Sequence, residues 1–245
     1  MEKYSKIMKI DIMEAINFLD RKSPKGLASS IISVIGEELN ACAFQDYLKN
    51  QEENSEVIIL AKSVTNGTKK KGETRYLDKW IYVKKQDGKQ ILYQCEIKNW
   101  AANAIGAYKE IKNEASEEKI LEEAEKMWKN KVMKDFIGER SNGVTKVLLN
   151  MSLKNLPEEY KKIEEIRPIV LYWMPLSKNL ELQSFFKEKL SNFPDLKIKT
   201  DFEEVYFFST SIYLRSLLKK SKYLECESEL LKTRLNTLNK ICINN

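Results

Sequence analysis

The stretch ILYQCEIKNWA, residues 91–101, carries a carboxylate and an ammonium group, Glu96 and Lys98, inside a short apolar run. Its β-branched and aromatic residues predict a strand over residues 90–98. Side chains two positions apart in a strand project from the same face, so Glu96 and Lys98 lie on one face with Leu92 and Gln94. The other face carries the residues expected to contact the core: Ile91, Tyr93, Cys95 and Ile97. We therefore predict a strand with one core face and a polar end on the other.

The segment before this strand predicts its partner and a metal site. Residues 75–84 also read as a strand, and Asp87-Gly88 in the connecting KQDGK is a strong hairpin signal. Asp78 is unfavourable near the start of a strand, and the antiparallel fold brings it close to Glu96. Two converging carboxylates repel unless a cation lies between them, and oxygen ligands suit Mg²⁺ or Mn²⁺.

A third acid comes from a preceding helix. Apolar residues at helical spacing predict a buried helix over residues 27–49, and Glu38 falls near the middle of its apolar face. A carboxylate directed into a core is costly without a partner. We expect Glu38 to reach the Asp78–Glu96 cluster; if the helix is rotated by one residue, Glu37 takes its place.

Composition narrows the possible chemistry. The 245 residues, 42% of them apolar, suffice for one sizeable core, so we expect a single main domain. The absence of histidine excludes Ser-His and Cys-His triads and histidine-dependent metal sites, and the sequence lacks phosphate-loop and dinucleotide-binding motifs. A net charge of +6 is compatible with a polyanionic partner.

Cysteine use and hydropathy bear on the compartment. The four cysteines are far apart, and we interpret all of them as buried thiols: Cys42, Cys95, Cys226 and Cys242. No apolar stretch approaches the roughly 20 residues that a membrane helix needs, and the N-terminus lacks the apolar block of a signal peptide. We expect a cytoplasmic protein that does not enter a membrane.

The remaining patterns predict an α/β fold with a mixed central sheet flanked by helices. An N-terminal segment, residues 1–26, contains a helix over 6–19; the α/β domain spans 27–210; a helical tail covers 211–245. Within the domain we predict further strands at 56–64, 144–150, 167–173 and 205–210, and a helix in two pieces over 103–133. Near-heptad leucines in the tail indicate docking on the chain's own domain or on a partner: Leu217, Leu224, Leu231, Leu235 and Leu238.

This arrangement resembles the PD-(D/E)xK, or restriction-endonuclease-like, nuclease superfamily over residues 27–113. The pattern of an acidic helix, an aspartate strand, a (D/E)-x-K strand and a further helix corresponds to Glu38 (or Glu37), Asp78, Glu96 and Lys98, followed by residues 103–113. Leu77 stands where the family's nominal proline would be. The helix after the motif has Tyr108 but no glutamine, so the chain does not resemble the RecB-like branch.

The resemblance implies a Mg²⁺- or Mn²⁺-dependent endonuclease acting on DNA. It implies that Asp78, Glu96 and the carbonyl of Ile97 hold the metal, with Glu38 binding through water or holding a second ion. The metal would polarise the scissile phosphate and lower the pKa of a bound water. Lys98 would orient that water and offset charge in the transition state.

The expected DNA contacts come from residues near the metal. Basic side chains around the hairpin and polar or aromatic side chains after the motif are candidates: Lys69, Lys70, Lys71, Arg75, Lys84, Lys85, Lys89, Asn99 and Trp100. By family habit the setting is restriction or anti-phage defence, with a homodimer or a helicase-like subunit as partner. The alternatives are an RNA-directed nuclease of the same fold and a non-catalytic interaction module that acts through its leucine-rich tail.

Overall fold

The computed structural model describes residues 8–20, 27–51, 55–60, 63–65, 76–98, 115–137, 143–153, 156–160, 162–196, 198–228, 230–233 and 235–236. The helices are α1 (Ile12–Asp20), α2 (Leu27–Gln51), α3 (Glu117–Met127), α4 (Met133–Ile137), α5 (Gly143–Val147) and α6 (Thr210–Leu218). The strands are β1 (Met8–Asp11), β2 (Glu56–Leu60), β3 (Ser63–Thr65), β4 (Tyr76–Leu77), β5 (Lys79–Lys84), β6 (Gln90–Lys98), β7 (Met151–Ser152), β8 (Glu165–Tyr172), β9 (Phe185–Lys189), β10 (Glu204–Ser209) and β11 (Tyr223–Cys226). A π-helical turn, Trp128–Val132, joins α3 to α4.

A six-stranded mixed sheet organises the protein in the order β2-β5-β6-β8-β10-β9. β2, β5 and β6 are antiparallel neighbours, β8 runs parallel to β6, and β10 runs parallel to β8. Helices cover both faces, so the predicted α/β fold with a mixed, helix-flanked sheet is confirmed. The predicted helix at 27–49 and the strands at 56–64, 75–84, 90–98, 167–173 and 205–210 are confirmed with shifted ends, and the first two of these strands are each interrupted.

The β5–β6 hairpin forms as predicted around Asp87-Gly88. Gly88 has a φ of 89°, a left-handed conformation that glycine adopts without steric cost. The Lys85 N–H donates to the Lys89 carbonyl at 2.9 Å, and the Gly88 N–H donates to the Lys85 carbonyl at 3.0 Å. These bonds close the turn and fix the register in which Lys79 lies opposite Cys95.

The two faces of β6 enter different cores. Its odd-numbered residues pack against Phe44 of α2: Ile91, Tyr93, Cys95 and Ile97. Ile81 and Val83 of β5 belong to the same cluster. The opposite face of the sheet packs with α3, α4 and α5, through Leu77, Val144, Val147, Val170 and Phe207. Each large apolar side chain buried in this way contributes about 1.5–3 kcal/mol. The alternation along β6 is as predicted, and it decides which side of the sheet each charged residue occupies.

The ends of the described chain differ from prediction. Residues 8–11, predicted to be helical, form β1, which pairs antiparallel with β11, so the tail is not helical throughout. Leu224 and Cys226 are buried while Tyr223 and Glu225 are exposed, which is the two-residue alternation of a strand. The near-heptad spacing of the leucines predicted a helix here instead. Leu224 and Leu231 lie in the α2-side core and Leu217 and Leu235 pack against it, so these leucines dock on the protein's own domain; Leu238 lies outside the described residues.

The strand predicted at 144–150 is also wrong. Residues 143–147 form α5, and only Met151 and Ser152 beyond it are extended. Val144, Val147 and Leu148 are fully buried at helical spacing, which short apolar runs do not distinguish from a strand in sequence. The predicted helix at 103–113 lies outside the described residues, whereas α3 and the π-helical turn that follows it confirm helix over the later part of 103–133.

The interpretation of every cysteine as a thiol is wrong for two of them. Cys42 of α2 and Cys226 of β11 form a disulfide, while Cys95 is a buried thiol as predicted. Cys242 lies outside the described residues. Among the described helices, none combines the length and apolarity that crossing a bilayer requires.

A charged cluster fastens the start of β8 to the hairpin. Glu165 accepts from Arg167 Nε at 2.5 Å and lies 2.7 Å from Lys89 Nζ. Arg167 also donates to the Tyr93 hydroxyl at 2.9 Å, and its guanidinium lies over the Tyr93 and Tyr206 rings. The hydrogen bond from Arg167, aided by Lys89, lowers the pKa of Glu165 to about 2.

We expect Glu165→Gln to lower the free energy of unfolding by about 1 kcal/mol at neutral pH, a value that allows for solvent screening of this partly exposed carboxylate. Because the folded-state pKa is depressed, this contribution is present above pH 4.5 and is lost as the pH falls toward 2. Urea denaturation of wild type and E165Q at pH 7, 4.5 and 3 measures it. Exposed Glu203 supplies the matched control, E203Q; a pH-independent difference for E165Q would contradict the assignment.

Candidate active site

Glu96 is the centre of a buried charged cluster at the end of β6. Its side chain is only 5% exposed, yet each carboxylate oxygen meets an ammonium group. Oε1 accepts from Lys98 Nζ at 2.9 Å, and Oε2 lies 2.5 Å from Lys146 Nζ. Glu96 and Lys98 therefore share a face of the sheet, as the spacing predicts, and Lys98 does not extend into open solvent.

Lys146 belongs to α5 and was not among the predicted site residues. It follows Val144 and Thr145 and precedes Val147, all fully buried, so it is a charged residue inside an apolar run. A charged residue within an apolar run is also what identified Glu96 as a candidate, so this signal could have identified Lys146 from the sequence. Reading this segment as a strand concealed the lysine, because a strand gives no reason for its side chain to meet β6.

Two contacts hold α5 against β6. Gln94, two residues before Glu96 on the same face, donates to the carbonyls of Val147 and of Leu149, the latter at 3.3 Å. Gly143 begins α5 in close contact with Lys98: a Cβ at this position would lie 2.9 Å from Lys98 Cε and 3.4 Å from Val170. The absence of a side chain at Gly143 thus leaves space for Lys98 to reach Glu96.

Asp78 lies beside the end of β6, in the break between β4 and β5. Its Oδ2 accepts from the Ile97 N–H at 2.8 Å, and its own N–H donates to the Cys95 carbonyl at 3.1 Å. The N–H and C=O of a strand residue face the same neighbour, so the Ile97 carbonyl faces the side of β6 on which Asp78 lies. The structure therefore brings Asp78, Ile97 and Glu96 together as the hairpin predicts.

The pKa of Glu96 is raised, first by burial and second by the negative charge of Asp78. Lys98 and Lys146 oppose this rise by stabilising the carboxylate. The influence of Asp78 means that the two carboxylates are close enough to repel each other, a repulsion that a cation between them would relieve.

Glu38 does not join this cluster. It is fully buried in α2, where Oε1 lies 2.5 Å from Lys79 Nζ and Oε2 accepts from the Ser228 hydroxyl at 2.7 Å. Lys79 lies opposite Cys95 on the α2 side of the sheet, whereas Glu96 faces α5. The expectation that Glu38 reaches Asp78 and Glu96 is thus corrected, because α2 covers the other face. Glu37 is half-buried, so Glu38 is the buried acid of this pair.

The donor set suits a hard cation in part. Within the described portions of the chain, no group of three or more acidic, histidine or cysteine side chains converges as a metal site. Asp78 and Glu96, with the Ile97 carbonyl, supply the oxygen donors that Mg²⁺ and Mn²⁺ prefer. Two carboxylates with waters are a sufficient protein contribution for Mg²⁺, so the residues fit such an ion without Glu38.

Most of the predicted substrate contacts cannot be placed. Lys69, Lys70, Lys71, Arg75, Asn99 and Trp100 lie outside the described residues. Lys84, Lys85 and Lys89 surround the hairpin turn, at the opposite end of β6 from Glu96 and roughly 20 Å from it by strand length. The expectation that these three lie near the metal is corrected by this separation.

Comparison with known proteins adds no relative to this description. No protein-family model, curated protein or solved structure matches the chain. The case for function therefore depends on the geometry around Glu96.

We expect the double substitution Lys98→Met and Lys146→Met to destabilise the protein by about 3 kcal/mol at pH 8, because it leaves a buried carboxylate without its partners. Removing both lysines raises the pKa of Glu96 further, so the folded protein then favours protonated Glu96. The loss of stability should therefore be smaller at pH 5 and grow as the pH rises. Urea denaturation at both pH values measures it.

The matched control is K129M/K219M, which removes two lysines that are each about two-thirds exposed. We expect little change in stability for this control at either pH. Equal destabilisation of the site variant at pH 5 and pH 8 would contradict the assignment of Glu96 as a carboxylate held by two ammonium groups.

Proposed function

We propose that the protein is a metal-dependent endonuclease that hydrolyses phosphodiester bonds in DNA, with a restriction-endonuclease-like core. The observation that carries the proposal is the buried Glu96 carboxylate at the end of β6, with Lys98 two residues later on the same face and Asp78 beside Ile97. A helix and then an antiparallel hairpin bearing these residues follow in the order that the resemblance implies. The next helix of that pattern, residues 103–113, lies outside the described residues.

The proposed roles follow from position. Asp78, Glu96 and the Ile97 carbonyl would hold Mg²⁺ or Mn²⁺, which when bound polarises the scissile phosphate and lowers the pKa of a water. Lys98, kept beside Glu96 by the space at Gly143, orients the attacking water and offsets charge that develops on the phosphate oxygens. Glu38 has no part in this scheme; its ion pair with Lys79 helps fix α2 on the sheet.

Composition agrees with this chemistry. The chain has no histidine, and the proposed reaction needs none. A net charge of +6 favours association with a polyanion, although the phosphate-binding residues would lie partly among segments that the structure does not describe.

A second candidate is a nuclease-like fold without catalysis, and the pairing of its acids favours it. Glu38 is neutralised by Lys79, and Glu96 by Lys98 and Lys146, so protein groups already balance these buried charges. The leucine-rich tail was the proposed working surface of such a module, but Leu224 and Leu231 are buried in its own core. These two leucines are therefore not available to a partner, and we prefer the nuclease.

The test is cleavage of supercoiled plasmid DNA, with single-stranded DNA and RNA as further substrates. We expect cleavage with Mg²⁺ or Mn²⁺ and none in EDTA. D78N, E96Q and K98M should each reduce the rate by about 10²-fold or more, since each removes a group that stabilises the transition state or holds the metal.

E203Q and K129M are the matched controls, because both side chains are exposed and lie outside the site. They should cleave at the wild-type rate. Absence of metal-dependent cleavage of all three substrates would favour the non-catalytic module, and cleavage of RNA alone would redirect the proposal to an RNA nuclease.

A further inference from the structure

The ammonium groups of Lys98 and Lys146, which contact Glu96, would compete with a metal ion for its carboxylate. Lys98 contacts Oε1 and Lys146 contacts Oε2, so both oxygens of the carboxylate have a cationic partner. One negative charge thus has two positive neighbours, with Asp78 as the other acid nearby.

A divalent ion cannot simply be added to this arrangement. Mg²⁺ binds carboxylate oxygens at about 2.0–2.1 Å. An ammonium nitrogen 2.5 Å from Oε2 occupies the approach to that oxygen and repels a second cation there. A carboxylate oxygen has a further lone pair for the ion, but charge repulsion favours movement of one lysine away from Glu96 when the ion enters.

The surroundings indicate which lysine moves. Lys98 is confined: its Cγ and Cε pass close to Gly143, and its carbonyl accepts from the Trp173 N–H at 3.1 Å within the central sheet. The Lys98 and Lys146 side chains are each one-fifth exposed. Lys146 extends from the five-residue helix α5, so a rotamer change can move its ammonium group away from Glu96 without disturbing the sheet, whereas Lys98 is held against Gly143.

We propose that Lys146 is the counter-cation of Glu96 in the metal-free protein, which a divalent metal displaces as it binds. This inference rests on the proposed metal site and adds its regulation. Without metal, Lys146 lies against the buried carboxylate as its counter-charge; with metal, the ion takes over that electrostatic role. Metal affinity is therefore set by competition with Lys146.

The alternative is that Lys146 only anchors α5 through Glu96. Both roles predict that removing Lys146 destabilises the metal-free protein, because Glu96 loses a partner. Only the displacement role predicts that the same substitution strengthens metal binding. Metal affinity and metal-induced stabilisation distinguish the two roles without a measurement of cleavage.

The experiment titrates Mn²⁺ into wild type, K146M and the exposed-lysine control K129M, with free Mn²⁺ followed by electron paramagnetic resonance. We expect K146M to bind Mn²⁺ about tenfold more tightly than wild type, since a positive charge beside the site is removed. K129M should match wild type. The double variant K146M/E96Q should lose the gain, because the ion would have lost its buried ligand.

Thermal unfolding gives the second readout. In EDTA, K146M should melt below wild type; added Mn²⁺ should raise its melting temperature more than that of wild type, as tighter binding requires. Lys146→Gln, which can still donate to Glu96 but has no charge, repeats the test if K146M fails to fold. Mn²⁺ affinity of the neutral variant equal to or weaker than that of wild type would overturn the inference.

The failures are distinguishable. If wild type binds Mn²⁺ and cleaves DNA but the neutral variants bind no more tightly, the displacement role fails and the proposed nuclease stands. If neither wild type nor the neutral variants bind Mn²⁺, both fail. Binding by the neutral variants with none by wild type supports displacement, and tight binding that persists in K146M/E96Q overturns it.

Discussion

The two-residue alternation of β6 is the constraint on which the charged sites depend. The α2 core buries the odd-numbered residues Ile91, Tyr93, Cys95 and Ile97. Because the faces alternate, Glu96 and Lys98 lie on the α5 side of the sheet. A slip of one residue in register would exchange the faces and bury both charges against α2. The hairpin turn at Gly88 prevents that slip, so a turn at one end of the strand determines where the carboxylate lies at the other.

Each face of the sheet then has its own buried carboxylate. Glu38 meets Lys79 beneath α2, and Glu96 meets Lys98 and Lys146 beneath α5. Buried ion pairs gain little net stability over apolar packing, but leaving one partner alone is costly. The Glu38 carboxylate lies against Lys79 and Ser228, and the Glu96 carboxylate lies against Lys98 and Lys146.

Local patterns account for the features that sequence reasoning predicted. The α2 helix, the Asp87-Gly88 hairpin and the pairing of Glu96 with Lys98 follow from periodicity and turn chemistry within a few residues. The features it missed depend on distant contacts. β1 is a strand because residues 223–226 pair with it, and α5 is a helix because its apolar residues pack on β8 and α4. Glu38 was placed correctly in a core, but the sequence does not say which side of the sheet α2 covers.

The pairing of β1 with β11 has a consequence for synthesis of the chain. Strand β11, the partner of β1, is translated more than 200 residues after it. Until then the backbone groups of Met8–Asp11 have only water or transient partners, and an unpaired strand can associate with other chains. Closure of this contact therefore waits for β11, which brings Leu224 and Cys226 into the α2 core.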